Sequence, residues 1–204
     1  MKAHGNNFRY FMMSKADDLC RFIAEHKFRL IVYSAVLVCG LVFGILSALK
    51  PVDPLAALAS HNGSIYAVTE QAAYLQFIFG SLFVFIAIVI STSFLSRLTF
   101  APIILIVLTV VVGYFQGGTV VLVIRVYGAL AIPFAVCYAI STLVYDLILF
   151  AHFAVLSRIA GEIKKYGCST PLNKVLLGSV YVLLLGAAVL LIKYVLVILL
   201  SFFL

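Results

Sequence analysis

The sequence has very little charge. Only 10% of its 204 residues are Asp, Glu, Lys or Arg, whereas a soluble domain usually carries about 25%. Hydrophobic residues make up 65% of the chain, where about 45–50% is usual. This composition excludes a soluble globular protein. It predicts an all-α fold, a polytopic bundle of transmembrane helices with little mass outside the bilayer.

The sequence also lacks the motifs of common catalytic and metal sites. No H-E-x-x-H, G-x-S-x-G or nucleotide-binding loop occurs. The four cysteines are scattered, and no C-x-x-C spacing joins any two of them, so neither a zinc site nor a disulfide framework is indicated. We therefore expect a non-enzymatic protein with no catalytic residue, no cofactor and no metal.

Most of the charge that is present is positive, with 14 Lys and Arg against seven Asp and Glu. The basic residues flank the apolar runs, so they predict orientation in the membrane and contact with anionic lipid rather than with nucleic acid. Residues 1–29 carry six of them and repeat apolar side chains at helical spacing. We predict an amphipathic helix here, lying in the cytoplasmic interface and leading into an uncleaved first span.

The apolar runs predict one transmembrane domain over residues 30–204. Its five spans would cover about residues 30–49, 73–94, 101–124, 128–157 and 175–200. Residues 50–73 would form a loop on the far side, where Pro54 prevents the first helix from resuming. Residues 158–174 would form a basic cytoplasmic loop.

The distribution of Lys and Arg favours five spans with the N-terminus in the cytoplasm. This topology places eleven of them inside and two outside, as the positive-inside rule requires. A sixth span, made by dividing residues 101–157 into three segments, would move four basic residues to the outside. We therefore predict a multi-pass protein of the cell membrane.

Two groups of glycines have the spacing of closely packed helices. Gly40 and Gly44 are four residues apart in the first span, and Gly113 and Gly117, followed by Gly118, lie in the third. Such small-residue faces permit helices to approach closely and would also serve protein partners or a homo-oligomer. The alternative for the second group is a helix break or re-entrant turn, with Gln116 hydrogen-bonding the freed backbone.

Ionisable residues inside apolar spans are functional candidates because each costs about 2.5–3.5 kcal/mol to insert. They are Asp146, Lys193 and Arg125, with His152 near the cytoplasmic end of the fourth span. Counting along the helices places Asp146 and Lys193 about 15 Å apart along the membrane normal, too far for direct contact.

Two interpretations of these residues remain open. In the simpler one, Lys193 extends to the outer surface and Asp146 bonds a nearby hydroxyl, that of Ser141, Thr142 or Tyr145. In the other, the charged side chains form a polar cluster at a helix interface, or a proton or ion pathway.

The layout resembles the stage II sporulation protein M family over about Arg21 to Arg158. The shared features are a basic N-terminal helix entering a span with a glycine pair, Val38-Cys-Gly40-Leu-Val-Phe-Gly44, a proline-led span from Pro102 to Gly113-Tyr-Phe-Gln-Gly117, and Tyr127-Gly128. The chain departs from the family at residues 140–142, Ile-Ser-Thr, where relatives commonly have a proline.

The resemblance implies a membrane scaffold that recruits or positions partner proteins such as peptidoglycan hydrolases. The alternative function is a transporter or permease subunit with an intramembrane polar pathway around Asp146. The polar residues favour the alternative, and the glycine spacing favours the scaffold.

Overall fold

The computed structural model describes the backbone of residues 3–61, 74–167 and 171–201, and every regular element in these ranges is a helix. This confirms the all-α class for the described part of the chain. The helices are α1 (Ala3–Ala48), α2 (Pro54–His61), α3 (Tyr74–Leu95), α4 (Ala101–Tyr127), α5 (Ile132–Tyr166) and α6 (Leu172–Ser201). A short 3₁₀ turn, Gly128–Ala131, joins α4 to α5.

Three helical runs among the described residues are long and apolar enough to cross a membrane. They are Asp17–Ala48, Ala101–Tyr166 and Asn173–Leu199, and a shorter apolar helix covers Phe79–Leu95. Large apolar side chains such as Phe83, Leu130 and Leu184 are exposed on the outside of the bundle. In water such exposed apolar side chains would promote aggregation, whereas in a membrane they contact the hydrocarbon of the lipid chains. The chain is therefore built as a helical membrane protein.

The helices pack in a consistent order across the bundle. Helix α1 lies along α4, α4 and α5 form a hairpin, α6 packs against α5, and α3 packs mainly against α6. The hairpin turns at Gly128, whose φ of 66° favours glycine. Helices α3 and α4 touch each other little. A space therefore remains between them in the middle of the bundle.

The four glycines of α1 and α4 face one another. A Cβ added to Gly40 would lie 3.2 Å from the Cα of Gly113, and one added to Gly113 would lie 2.6 Å from the carbonyl oxygen of Leu37. Substituents on Gly44 and Gly117 would likewise meet backbone atoms of the other helix. Helix α4 is continuous through this region, so the predicted alternative of a break or re-entrant turn is wrong. The glycines permit a close crossing within this chain.

The predicted loop over residues 50–73 begins differently in the structure, because a short helix occupies Pro54–His61. Helix α2 begins at Pro54, where a proline loses nothing because the first helical N–H groups have no partner in the helix. Asp53 assists by accepting a hydrogen bond from the Leu55 N–H at 3.1 Å. The rest of the predicted far-side loop, residues 62–73, lies outside the described residues.

Helix α5 continues well beyond the span predicted for it. It ends at Tyr166, where Gly167 adopts φ 65° and donates its N–H to the Ile163 carbonyl at 3.0 Å. Arg158 and Lys164 therefore lie on a helix and not in the predicted loop. Helix α1 is also unbroken at residue 29, so the backbone shows no separate N-terminal helix.

Candidate functional site

Among the described residues, the most deeply buried charged side chain is Asp146, near the middle of α5. Only 1% of its surface is exposed. Its Oδ1 accepts a hydrogen bond of 2.9 Å from Nε2 of Gln116, which lies near the middle of α4. Its Oδ2 has no hydrogen-bond partner among the described residues. A buried carboxyl group with half of its hydrogen-bonding capacity unused is costly inside a bilayer.

The predicted hydroxyl partners of Asp146 are engaged elsewhere. Ser141 and Thr142 both donate to the Tyr138 carbonyl, at 3.0 and 2.6 Å, as hydroxyls on helices commonly do. Their assignment to Asp146 is therefore wrong. The partner is Gln116, 30 residues away in sequence, whose predicted role in repairing a broken helix is also wrong.

Lys193 on α6 turns into the bundle instead of towards the outer surface. It is 8% exposed, and its Nζ lies 4.4 Å from the centre of the Tyr138 ring. This distance is typical of a cation–π interaction. The expectation that Lys193 extends outward is wrong. No Asp146–Lys193 ion pair within 4.0 Å occurs in the described structure, but the two groups attract each other electrostatically.

A cavity of about 480 Å³ lies between α3, α4, α5 and α6, and it is lined by Lys193 and by Gln116, the hydrogen-bond partner of Asp146, while Asp146 itself lies behind this lining. It is lined by apolar side chains and by the polar groups of Ser81, Gln116, Tyr138, Thr142, Tyr145 and Lys193. His61, at the end of α2, lies at its margin, and Gly80 contributes bare backbone from α3. We call this space the central cavity. Its volume is in the range of pockets that hold small molecules.

Comparisons with known proteins identify no relative of this chain. A scan of family models, a search of curated proteins and a search of solved structures each found no match to this chain. Within the described residues there is also no group of three His, Cys, Asp or Glu side chains that could hold a metal ion.

Arg125 lies apart from the central cavity. Its guanidinium donates to the carbonyls of Ala48, Lys50 and Val52, with the last two at 3.0 and 3.3 Å. These carbonyls are at and beyond the C-terminal end of α1, where a positive charge complements the helix dipole. Arg125 thus fastens the end of α1 to α4. The contacts give it a structural role.

His152 belongs to a second polar group, nearer the C-terminal end of α5. It is 5% exposed, and its Nε2 lies 3.5 Å from Oγ of Ser93. Ser93 in turn lies 2.7 Å from Oγ of Ser179. These three side chains join α5, α3 and α6. The structure therefore divides the four predicted candidates between three places, and only Asp146 and Lys193 share a site.

Sequence reasoning missed the ring of Tyr138 and the pairing of Gln116. The sequence signal for this pairing is the amide of Gln116 within an otherwise apolar run, because such a group needs a hydrogen-bond partner inside the bilayer. The partner depends on which faces of two helices meet. Spacing along one helix does not contain that information.

Proposed function

We propose that this protein is the membrane subunit of a transport system, and that a small polar solute or ion occupies the central cavity. One observation carries the proposal: Asp146 is buried with one oxygen unpaired, next to a cavity that also holds a buried lysine. Ionisable groups in this setting are rare because they are expensive, so they mark substrate and ion pathways.

The arrangement of polar groups supports binding over a purely structural role. A structural network would satisfy its own hydrogen bonds, whereas Asp146 keeps an acceptor free and Lys193 contacts only the face of a ring in the described structure. The cavity offers an ammonium group, an amide, hydroxyls and a nearby carboxyl within a largely apolar wall. This combination fits a small solute with groups of both charges, or an ion and the water that accompanies it.

Water access to the cavity is the first prediction that tests this proposal. In a background with the four native cysteines replaced, Thr142→Cys lines the central cavity, and Leu147→Cys, 64% exposed on the outside of the same helix, serves as the matched control. In lipid vesicles a membrane-impermeant thiosulfonate should label position 142 at least about tenfold faster than position 147, because thiolates form only in contact with water. Equal, slow labelling at both positions would show a dry cavity and rule out the pathway.

A topology of five spans is part of the same proposal. We infer five crossings, by α1, α3, α4, α5 and α6, with the N-terminus in the cytoplasm. The support is the charge distribution and the helix lengths. A fluorescent protein that matures only in the cytoplasm should be bright at the N-terminus and dark at the C-terminus. A bright C-terminal fusion would contradict the odd number of spans.

A scaffold function is the second candidate, as the family resemblance implies. The glycine faces that would have held a partner are occupied within the chain, so they do not support it. What favours it is the N-terminal part of α1, where Leu19 and Ile23 form an exposed apolar pair one turn apart, with Phe28 nearby and 75% exposed. Crosslinking at position 23 in intact cells should yield one stoichiometric partner if this surface is a docking site, and no discrete product otherwise.

A further inference from the structure

Another cavity, of about 410 Å³, lies at the end of the bundle where α1 is followed by α2. We call it the vestibule. Its wall includes polar side chains from α1, from the segment after it, from α2 and from α4, namely those of Ser47, Lys50, Ser60 and Tyr114. His61 and Phe115 line both the vestibule and the central cavity. These two residues therefore form a boundary between the two spaces.

The imidazole of His61 fills the gap between α2 and α4 at this boundary. Its Nε2 lies 3.1 Å from the Phe115 carbonyl oxygen, and because a carbonyl only accepts, Nε2 is the donor. The centre of the ring lies 5.2 Å from that of the Tyr114 ring and 5.1 Å from that of the Phe115 ring. The ring uses space that Gly118 leaves free, since the three atoms nearest to a Cβ added there all belong to His61.

These contacts can be broken without leaving a buried polar group unpaired. His61 is the last residue of α2, and its side chain is only partly buried. The Phe115 carbonyl keeps two other donors when the imidazole leaves. Thr119 Oγ1 donates to it at 2.6 Å, and the Thr119 N–H donates to it within the continuous helix α4. The usual cost of an unsatisfied backbone acceptor is therefore avoided. Rotation about the side-chain bonds of His61 is sufficient to open the boundary.

We propose that His61 is the gate of the central cavity, and that a solute passes from the vestibule past its imidazole to reach Lys193. The gate rests on the transport function proposed above, to which it adds the route of entry. In the described structure the gate is closed, because the ring lies between the two spaces. Polar side chains line the route on both sides of the ring, with Ser60 in the vestibule and Gln116 in the central cavity. Small movements of this kind commonly control access to a binding site.

The gate is tested by labelling Thr142→Cys in lipid vesicles with the membrane-impermeant thiosulfonate. His61→Ala should raise the labelling rate by a further factor of about ten or more, because a minor open state is typically about 0.1–10% populated and loss of the imidazole leaves the boundary open. Gly118→Ala should act in the same direction with His61 intact, since the new methyl group displaces the ring. Leu147→Cys should stay slow in both variants, as expected where the bundle has not loosened.

Ser60→Ala is the matched control for these two variants. Ser60 precedes His61 on α2 and lines the vestibule but not the central cavity. Its hydroxyl donates to the Ala57 carbonyl of its own helix at 3.0 Å and so takes no part in the boundary. The labelling rate at position 142 should therefore stay within about twofold of the parent rate, as is usual for a surface substitution. An increase as large as that in His61→Ala would overturn the gate.

The outcomes separate the gate from the transport function itself. Labelling at position 142 that is fast in the parent, and no faster in His61→Ala or Gly118→Ala, would show a wet cavity that His61 does not close. The gate would then be overturned and the transport function would stand. Slow labelling at positions 142 and 147 in every variant would overturn both. A parallel increase at position 147 in both variants would show a loosened bundle, and that result too would overturn the gate.

Discussion

Gly44→Ala should lower the unfolding temperature of the protein more than any other single methyl group added to the bundle. The new Cβ would meet the Tyr114 carbonyl oxygen and lie 2.8 Å from the backbone nitrogen of Gly118. Both contacts are with backbone, which cannot rotate away as a side chain can. Helices α1 and α4 must therefore separate along their whole crossing, and overpacking of this kind typically costs about 1–3 kcal/mol.

The measurement is a thermal melt in detergent, followed by circular dichroism because the chain has no tryptophan. For a chain of this size, a loss of about 3 kcal/mol corresponds to a decrease of about 6–12 °C. The matched control is Gly178→Ala, where the methyl group meets no atom within 4 Å. The control should be neutral or stabilised by up to about 1 kcal/mol, because alanine favours the helix. Equal melting temperatures for the two variants would show that the crossing is looser than described.

The sequence contains enough information to locate the helices, but it does not show which helix faces pack against each other. Hydropathy placed the spans within a few residues of α3, α4 and α6, because the thickness of a bilayer fixes both the length and the composition of a crossing helix. It failed at the end of α5, where the chain leaves the apolar region but remains helical as far as Tyr166. The polar composition of residues 158–166 predicts a loop, but these residues continue the helix.

The candidate site shows the same limit. Its members were visible individually, because a charge in an apolar run stands out. The contact of Gln116 with Asp146 and the inward turn of Lys193 both depend on the rotation of each helix about its axis. A helix that is apolar all round gives little periodicity from which to read that rotation. The contacts of Arg125 could not be predicted for a related reason, since its partners are carbonyls of another helix end.

Asp146→Leu should be the most damaging substitution at or beside the central cavity. It removes the acceptor of the Gln116 amide and also the acidic partner of Lys193. An interhelical hydrogen bond in a membrane protein contributes about 1–2 kcal/mol at most. Removing one member of a buried charge pair costs about 3–5 kcal/mol when the two are in direct contact. Asp146 and Lys193 are not in direct contact. We therefore expect Asp146→Leu to lower the free energy of unfolding by about 1–2 kcal/mol, not by the larger amount.

Asp146→Asn separates the hydrogen bond from the charge. The amide oxygen still accepts from Gln116, so the melting temperature should remain within a few degrees of the parent protein. If the carboxyl group serves transport, ion or proton flux in proteoliposomes, followed with an internal pH dye, should be lost all the same. A variant that kept both its stability and the flux of the parent would assign Asp146 to structure alone.

The double variant Asp146→Leu/Lys193→Met decides whether these two residues act as one site. The methionine side chain is one atom shorter than that of lysine but unbranched and flexible like it, so it can still contact the Tyr138 ring, and it has no charge to leave uncompensated. The combined loss of stability should therefore be smaller than the sum of the two single losses by about 1 kcal/mol or more. Simple additivity would mean that Asp146 and Lys193 do not interact across the cavity, and a single solute could then not bridge them.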